Sequence, residues 1–243
     1  MIEVEGLSKL YGDYRAVADI SFSASKGQIV GFLGPNGAGK TTTIRMLATY
    51  LPPSAGTARI AGYDIVTQSD EVRRRIGYLP ENPPLYGEMT VEEYLRFVAD
   101  IKGVPRSKRT MRVGEVLERC FIADVRKKLC QHLSRGYRQR VGLAQAIIHE
   151  PEVIILDEPT SGLDPKQIIE IRELIKSLGD SHTVLLSTHI LPEVSMVCSK
   201  VVIVSRGRIV TESSLADLTR EKPLEQVFIE SVGREEAIVE AAA

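Results

Sequence analysis

A mainly parallel α/β sheet interrupted by a helical lobe is the fold class predicted for this 243-residue chain. Three observations predict it. Short apolar bursts near both ends alternate with helical spacing, as in sheets whose parallel strands are joined by crossover helices. The middle, roughly 82–148, loses its strand signals and takes up helical periodicity. With 43% hydrophobic and 26% charged residues, the composition is globular and supplies one sizeable core, either one large domain or a two-lobed one.

In chain order, residues 1–33 hold the bursts Ile2–Val4, Val17–Ile20 and Gln28–Leu33, which read as strands separated by turns at Gly12 and Gly27. The last burst is continuously apolar, which suits a strand covered on both faces. A glycine-rich turn follows, then a helix over Thr41–Tyr50 stopped by Pro52-Pro53, then a short strand pair over 57–66. In the middle, Val113, Val116, Leu117 and Cys120 make one apolar stripe. Val141, Ala144 and Ile148 make another, behind an N-cap at Ser134. Strands return at Val153–Leu156, Thr183–Ser187 and Val201–Val204, with a helix over Pro165–Leu178.

Composition also excludes some roles. A formal net charge of −1 leaves no overall basic field for nucleic acid or an anionic membrane. The basic cluster Arg106, Lys108, Arg109 and Arg112, with 126–128, is interspersed with Glu115, Glu118 and Asp124 and reads as a solvated helix face. Uncharged stretches such as Ile29–Gly39 and Val141–His149 fall short of the ~18–20 apolar residues that span a bilayer. The acidic start Met1–Glu5 lacks a secretion-signal pattern. Cys120, Cys130 and Cys198 form no CxxC pair and read as reduced thiols filling a core in the cytosol.

The chemistry is carried by three motifs. Gly34-Pro35-Asn36-Gly37-Ala38-Gly39-Lys40-Thr41 matches the phosphate-loop pattern, with an apolar strand before it and a helical pattern after it, and Thr42 beside it counts among the nucleotide-binding residues. Glycines let backbone N–H groups turn toward phosphate oxygens, and the helix N-terminus adds positive dipole character. Lys40 would reach the β- and γ-phosphates, and the Thr41 hydroxyl would hold Mg²⁺. Val153–Glu158 is a buried-strand run ending in two carboxylates, which a parallel sheet would aim at the phosphate loop. Asp157 would hold Mg²⁺ and Glu158 would position the attacking water. Acids placed beside a helix dipole are the plainer reading of the same pair. Leu133–Arg140 reads alone as a capped helix start with a basic first turn.

Taken in order, Gly34–Thr41, Leu133–Gly136, Val153–Glu158, Ser161–Asp164 and Ser187–His189 resemble the ATP-binding cassette of ABC transporters over essentially the whole chain. The resemblance implies a P-loop NTPase of the ABC ATPase fold, with a parallel core sheet, an antiparallel β edge and an inserted helical lobe. Approximately 1–81 and 149–220 would form the core, 82–148 the lobe and 221–243 a C-terminal tail. It further implies that Tyr11 stacks on adenine, although an aromatic on an early strand reads as well without it, and Tyr14 is a nearby alternative. Two copies would face head to tail, so that Ser134 and Gly136 of one close on the γ-phosphate held by Lys40 of the other. Asp164 would bridge the two sites and His189 would contact the γ-phosphate. His132, His149 and His182 fit no motif and read as surface or packing residues.

Two positions depart from the family pattern. In the signature Leu-Ser-Gly-Gly-Gln, Arg135 and Tyr137 stand at the third and fifth places. In Ile76–Asn82, Glu81 takes the place of the glutamine that meets Mg²⁺ and the attacking water. A carboxylate remains a good ligand for a hard cation, loses the amide's donor, and crowds Asp157 and Glu158 with negative charge, raising the pKa of one of them. The segments 76–95 and 133–140, with the tail Leu224–Glu230, resemble the ATPases of ABC-2-type exporters (multidrug, sodium-efflux and gliding-motility-associated). The implied protein is an ATP- and Mg²⁺-dependent ATPase, cytoplasmic and peripheral on the inner face of the membrane. It would bind a second copy of itself and a separate transmembrane permease, met by roughly Pro83–Asp100, and no nucleic acid. The alternatives are a soluble ABC ATPase serving an iron–sulfur scaffold or the ribosome, and a regulator that senses nucleotide without hydrolysing it.

Overall fold

Alternating and continuous apolar runs sort into two different sheets. The computed structural model describes residues 1–241. Strands β1 (Ile2–Tyr11) and β2 (Tyr14–Ala24) pair antiparallel across the Gly12 turn. β3 (Ile29–Leu33) leads into helix α1 (Lys40–Leu47), and β4 (Ala55–Ile60) and β5 (Tyr63–Asp64) complete a four-stranded antiparallel sheet of order β2-β1-β4-β5. The predicted antiparallel edge is thus a sheet of its own. Helix α2 (Ser69–Arg75) precedes β6 (Ile76–Leu79). Helices α3 (Val91–Ile101), α4 (Arg106–Arg119) and α5 (Arg135–Ile147) form the helical segment. The chain then runs through β7 (Val153–Asp157), α6 (Pro165–Gly179), β8 (Thr183–Thr188), α7 (Leu191–Val197), β9 (Lys200–Ser205) and β10 (Arg208–Ser214). It ends in α8 (Leu215–Leu218) and α9 (Leu224–Ala241). The second sheet has the order β10-β9-β3-β8-β7-β6, parallel except for β10.

Because side chains alternate along a strand, the continuous runs serve two cores at once. Val30, Phe32, Val153, Ile155, Val202 and Val204 meet Ile2, Val4, Ile20 and Phe22 of the antiparallel sheet and Ile44 and Leu47 of α1. The rings of Phe22 and Phe32 lie 5.3 Å apart across that seam. Ile154, Leu156, Val184, Leu186 and Ile203 face the other way, onto Val141, Ala144, Ile171, Ile175 and Val194.

The helical segment forms as its stripes predict. Thr90 and Glu93 close a capping box at the start of α3. The α4 stripe Val113, Val116, Leu117 is buried together with Cys120, and Ser134 caps α5. The segment is pressed onto the core at Gly77, where an added Cβ would stand 2.0 Å from the Ala146 carbonyl oxygen. Strand β6 went unread because four residues around a glycine carry no periodicity. The α1 helix stops at Leu47, before the expected Tyr50, with Thr49 in the left-handed region at φ 60°. Arg112 corrects the solvated-face reading. It is 7% exposed, donates to the carbonyls of Ile147 and Ile148, and pairs with Glu115 and Glu150. All three cysteines are buried and free. Among the described residues no helix is long and apolar enough to cross a membrane.

One packing histidine makes stability sensitive to acid. His149 Nε2 lies 3.0 Å from the Ile76 carbonyl oxygen, while its Nδ1 is buried without a partner. A proton there would be an N–H with nothing to accept it. Burial first, then the charge of Lys102, brings the imidazole down from 6.5 to about 4. A pKa lowered by folding means that the full stability is present above 6.5 and is lost as pH falls from 6.5 toward 4. In urea titrations across that range, His149→Gln should flatten this part of the slope; an unchanged slope would place the sensitivity elsewhere.

Candidate active site

The strand order β3-β8-β7-β6 sets four loops side by side at the carboxyl ends of parallel strands. The phosphate loop leaves β3, His189 follows β8, Asp157 and Glu158 end β7, and Glu81 follows β6. These loops line a cleft of about 420 Å³, into which the β1–β2 turn brings Tyr11 and Tyr14, with Ala16 beyond.

In the phosphate loop, Gly37 and Gly39 take φ of 79° and 95°, a region open to glycine. A Cβ on Gly34 would stand 2.4 Å from the Val204 carbonyl oxygen, and one on Gly39 would stand 2.5 Å from that of Ala16. The loop is therefore threaded between β9 and β2, with the Ala38 N–H donating to the Pro35 carbonyl at 3.3 Å. Lys40, 6% exposed, donates from Nζ to the carbonyls of Gly34 at 2.7 Å and Pro35 at 3.1 Å. Its ammonium also stands 3.5 Å from Glu158 Oε1. Charged phosphate oxygens could take the places of the two neutral carbonyls, because an ammonium bonds an ionised acceptor more strongly.

The carboxylates are ordered by register. Asp157 sits beside Ser187 in the β7–β8 pairing, and its Oδ1 accepts from Ser187 Oγ at 2.5 Å and Thr41 Oγ1 at 3.4 Å. Burial holds the Asp157 carboxyl above the usual carboxylate range. The two hydroxyls oppose that rise, and the charges of Glu158 and Glu81 add to it. The crowding expected of Glu81 thus falls on Asp157, as a smaller contribution than burial. Glu158 adopts φ 49°, rare for a residue with a side chain, and donates its N–H to the Ser187 carbonyl at 3.1 Å. That turn carries its Oε2 to 2.9 Å from His189 Nδ1. Thr41, Asp157 and Glu81 offer only oxygen, the donor set of a hard divalent cation, so the residues present fit Mg²⁺.

Of the residues singled out from the sequence, Tyr11, Asn36, Gly37, Gly39, Lys40, Thr41, Thr42, Glu81, Glu158 and His189 line this cleft. Gly34 and Pro35 contribute carbonyls behind it, Ala38 is buried in the loop, and Asp157 lies beneath. Ser134, Gly136 and Asp164 do not line it. They gather at the N-termini of α5 and α6, where Ser134 Oγ accepts from Tyr137 N–H and Asp164 Oδ1 from Gln167 N–H. A Cβ on Gly136 would stand 2.2 Å from the Gln167 side-chain oxygen. Arg135 reaches from this group to the cleft's rim, donating to Ser161 Oγ at 3.2 Å and lying against Gly162. Ser161, Ala16 and Ser187 were not read as site residues; only Ser161 and Ser187 lay within motifs that could have flagged them.

Residues 17–161 match the family model described as ABC transporter. The bacitracin transport ATP-binding protein BcrA of Bacillus licheniformis is 40% identical over 87% of this chain and 69% of its own length. The ABC transporter ATP-binding protein NatA of Bacillus subtilis (strain 168) is 36% identical over 96% and 99%. In structure, the chain is similar to a dimeric post-hydrolysis state of the ATP-binding cassette MJ0796 bound to ADP and Pi. That likeness has a TM-score of 0.81 and 25% identity, covering 88% of this chain and 99% of that one. With the phosphate loop, the paired carboxylates and His189 set on one row of parallel strands, the chain belongs to the ATP-binding proteins of the ABC transporter family.

Proposed function

We propose that this chain hydrolyses ATP and that two copies of it drive a separate membrane-spanning subunit of an exporter. The observation that carries the reading is the placement of Glu158, held 3.5 Å from Lys40 Nζ and 2.9 Å from His189 inside the phosphate-loop cleft. A carboxylate there can orient water against a γ-phosphate and accept its proton. Lys40 would exchange the Gly34 and Pro35 carbonyls for β- and γ-phosphate oxygens, leaving Glu158 free to face the water. His189 would hold the γ-phosphate from the side opposite Lys40, and Tyr11 would stack on adenine at the cleft's open end. Thr41 and Asp157, with Glu81, would hold Mg²⁺, which supplies positive charge to the phosphate oxygens. Ser134, which is exposed, and Gly136 lie outside the cleft of their own chain. A second copy presenting those residues, with the dipole of α5 behind them, would close it.

The export reading rests on kinship with BcrA, a bacitracin transport protein by name. It also rests on the surface around Pro83–Asp100, where the rings of Tyr86 and Phe97 pack 5.3 Å apart. Tyr86 and Ile101 are 52% and 68% exposed there, a surface suited to a permease's cytoplasmic helices. The position would be peripheral, on the inner face of the membrane.

Three outcomes test this. Glu158→Gln should bind ATP as tightly as the wild type and turn it over at least ~100-fold more slowly, the scale of a lost general base; equal rates would sink the enzymatic reading. Glu81→Ala should raise the Mg²⁺ concentration for half-maximal hydrolysis about tenfold, the scale of losing a group from a metal's surroundings. An unchanged rate and Mg²⁺ dependence would remove Glu81 from the site. Affinity purification from detergent-solubilised native membranes should recover a polytopic membrane protein in stoichiometric amount, and Tyr86→Glu should release it. Recovery of ribosomes or a soluble scaffold instead would overturn the transport reading and leave hydrolysis standing.

A further inference from the structure

Glu158 and His189 stand on different loops, and a third carboxylate ties those loops together from behind. Glu193, on α7, is 1% exposed. It accepts hydrogen bonds from Thr160 Oγ1 and, at 2.7 Å, from Thr188 Oγ1. Among the described residues it forms no ion pair. A carboxylate buried without a cation is costly, so it leans on its two hydroxyl donors, together with the N-terminal turn of α7 in which it sits. Thr160 lies two residues past Glu158, and Thr188 directly precedes His189. The contacts therefore close a ring. It runs from the Glu158 carboxylate to the His189 imidazole, along the chain to Thr188, through Glu193 to Thr160, and along the chain back to Glu158. Within the ring Glu158 is held at φ 49°, a conformation that surrounding structure must enforce.

We propose that Glu193 is a positioning residue for hydrolysis. It clamps the loop after β7 to the loop after β8, so that Glu158 and His189 keep their relative places toward water and γ-phosphate. The proposal rests on the hydrolytic reading above. The simpler role, fastening the start of α7, involves Thr188, whose Oγ1 also accepts from Ile190 N–H at 3.0 Å. It gives Thr160 nothing to do. Thr160 therefore separates the two.

The test uses the purified full chain with Thr160→Val, which is close to isosteric, alongside Glu193→Gln and Thr160→Ser. Thr160→Val and Glu193→Gln should lower kcat about ten- to hundredfold, the cost of a small misplacement. KM for ATP should stay within about threefold, and the double variant should fall no further than the worse single one. Thr160→Ser, which keeps the hydroxyl, should recover most of the rate. In ¹⁵N-histidine spectra, the His189 ring signals should move in both variants while those of His132 stay. Folded variants with wild-type kcat and an unmoved His189 overturn the clamp. So does a kcat loss that follows only the melting temperature. If the wild type binds ATP and never turns it over, the hydrolytic reading fails by itself. The His189 signals then still decide whether Glu193 sets the imidazole's place, and unmoved signals overturn it.

Discussion

The parallel pairing of β8 between β3 and β7 is the constraint on which the cleft depends. Its register sets Leu33 beside Thr188 and Asp157 beside Ser187. The phosphate loop, His189 and the paired carboxylates therefore leave the sheet at the same level. A slip of one residue would turn every side chain of β8 to the opposite core, exchanging Val184 and Leu186 with Leu185 across the sheet. The two hydrophobic cores thus fix the chemistry: the same packing that buries these strands on both faces aims their last residues.

Charge is balanced within narrow limits at those strand ends. One ammonium, Lys40, stands against Glu158, with Asp157 just beneath and Glu81 on the facing rim. With no cation paired to it among the described residues, Asp157 relies on two hydroxyls, and burial holds its carboxyl above the ordinary range. A glutamine at 81 would leave this balance one negative charge lighter. The chain thus presents an excess of carboxylate oxygen around a loop built to receive phosphate. That excess is an arrangement at odds with anion binding unless a divalent cation enters with the nucleotide.

Much of this was legible in the sequence because it is carried by local pattern. Glycine spacing marked the phosphate loop, a four-residue apolar run ending in Asp157-Glu158 marked β7, and stripes at 113–120 and 141–148 marked two helices. What escaped was set by partners distant in sequence. Strand β6 has four residues and a glycine needed for contact with Ala146, a reason visible only once α5 lies across it. Arg112 read as one of a run of surface cations because its acceptors, the carbonyls of Ile147 and Ile148, lie 35 and 36 residues downstream. Glu193 read as nothing, since an acid in the first turn of a short helix is commonplace. Its meaning depends on Thr160, 33 residues earlier.

The Arg135 departure bears on how the two halves of a site would communicate. In one chain its guanidinium spans from the start of α5, where Ser134 and Gly136 lie, to Ser161 and Gly162 on the loop that begins at Glu158. Thr160, on that same loop, is held by Glu193. A glycine at 135 would remove the bond to Ser161 and leave α5 tied to α6, through Gly136 on Gln167 and Arg140 on Glu170, rather than to this loop. With arginine, movement of α5 toward a partner's phosphate would pull on Ser161 and hence on the segment that sets Glu158. In the proposed dimer, each α5 would engage the partner's nucleotide while its Arg135 touches the loop of its own site. Occupation of one cleft would thereby be felt at the carboxylate of the other, through a side chain that the usual signature lacks.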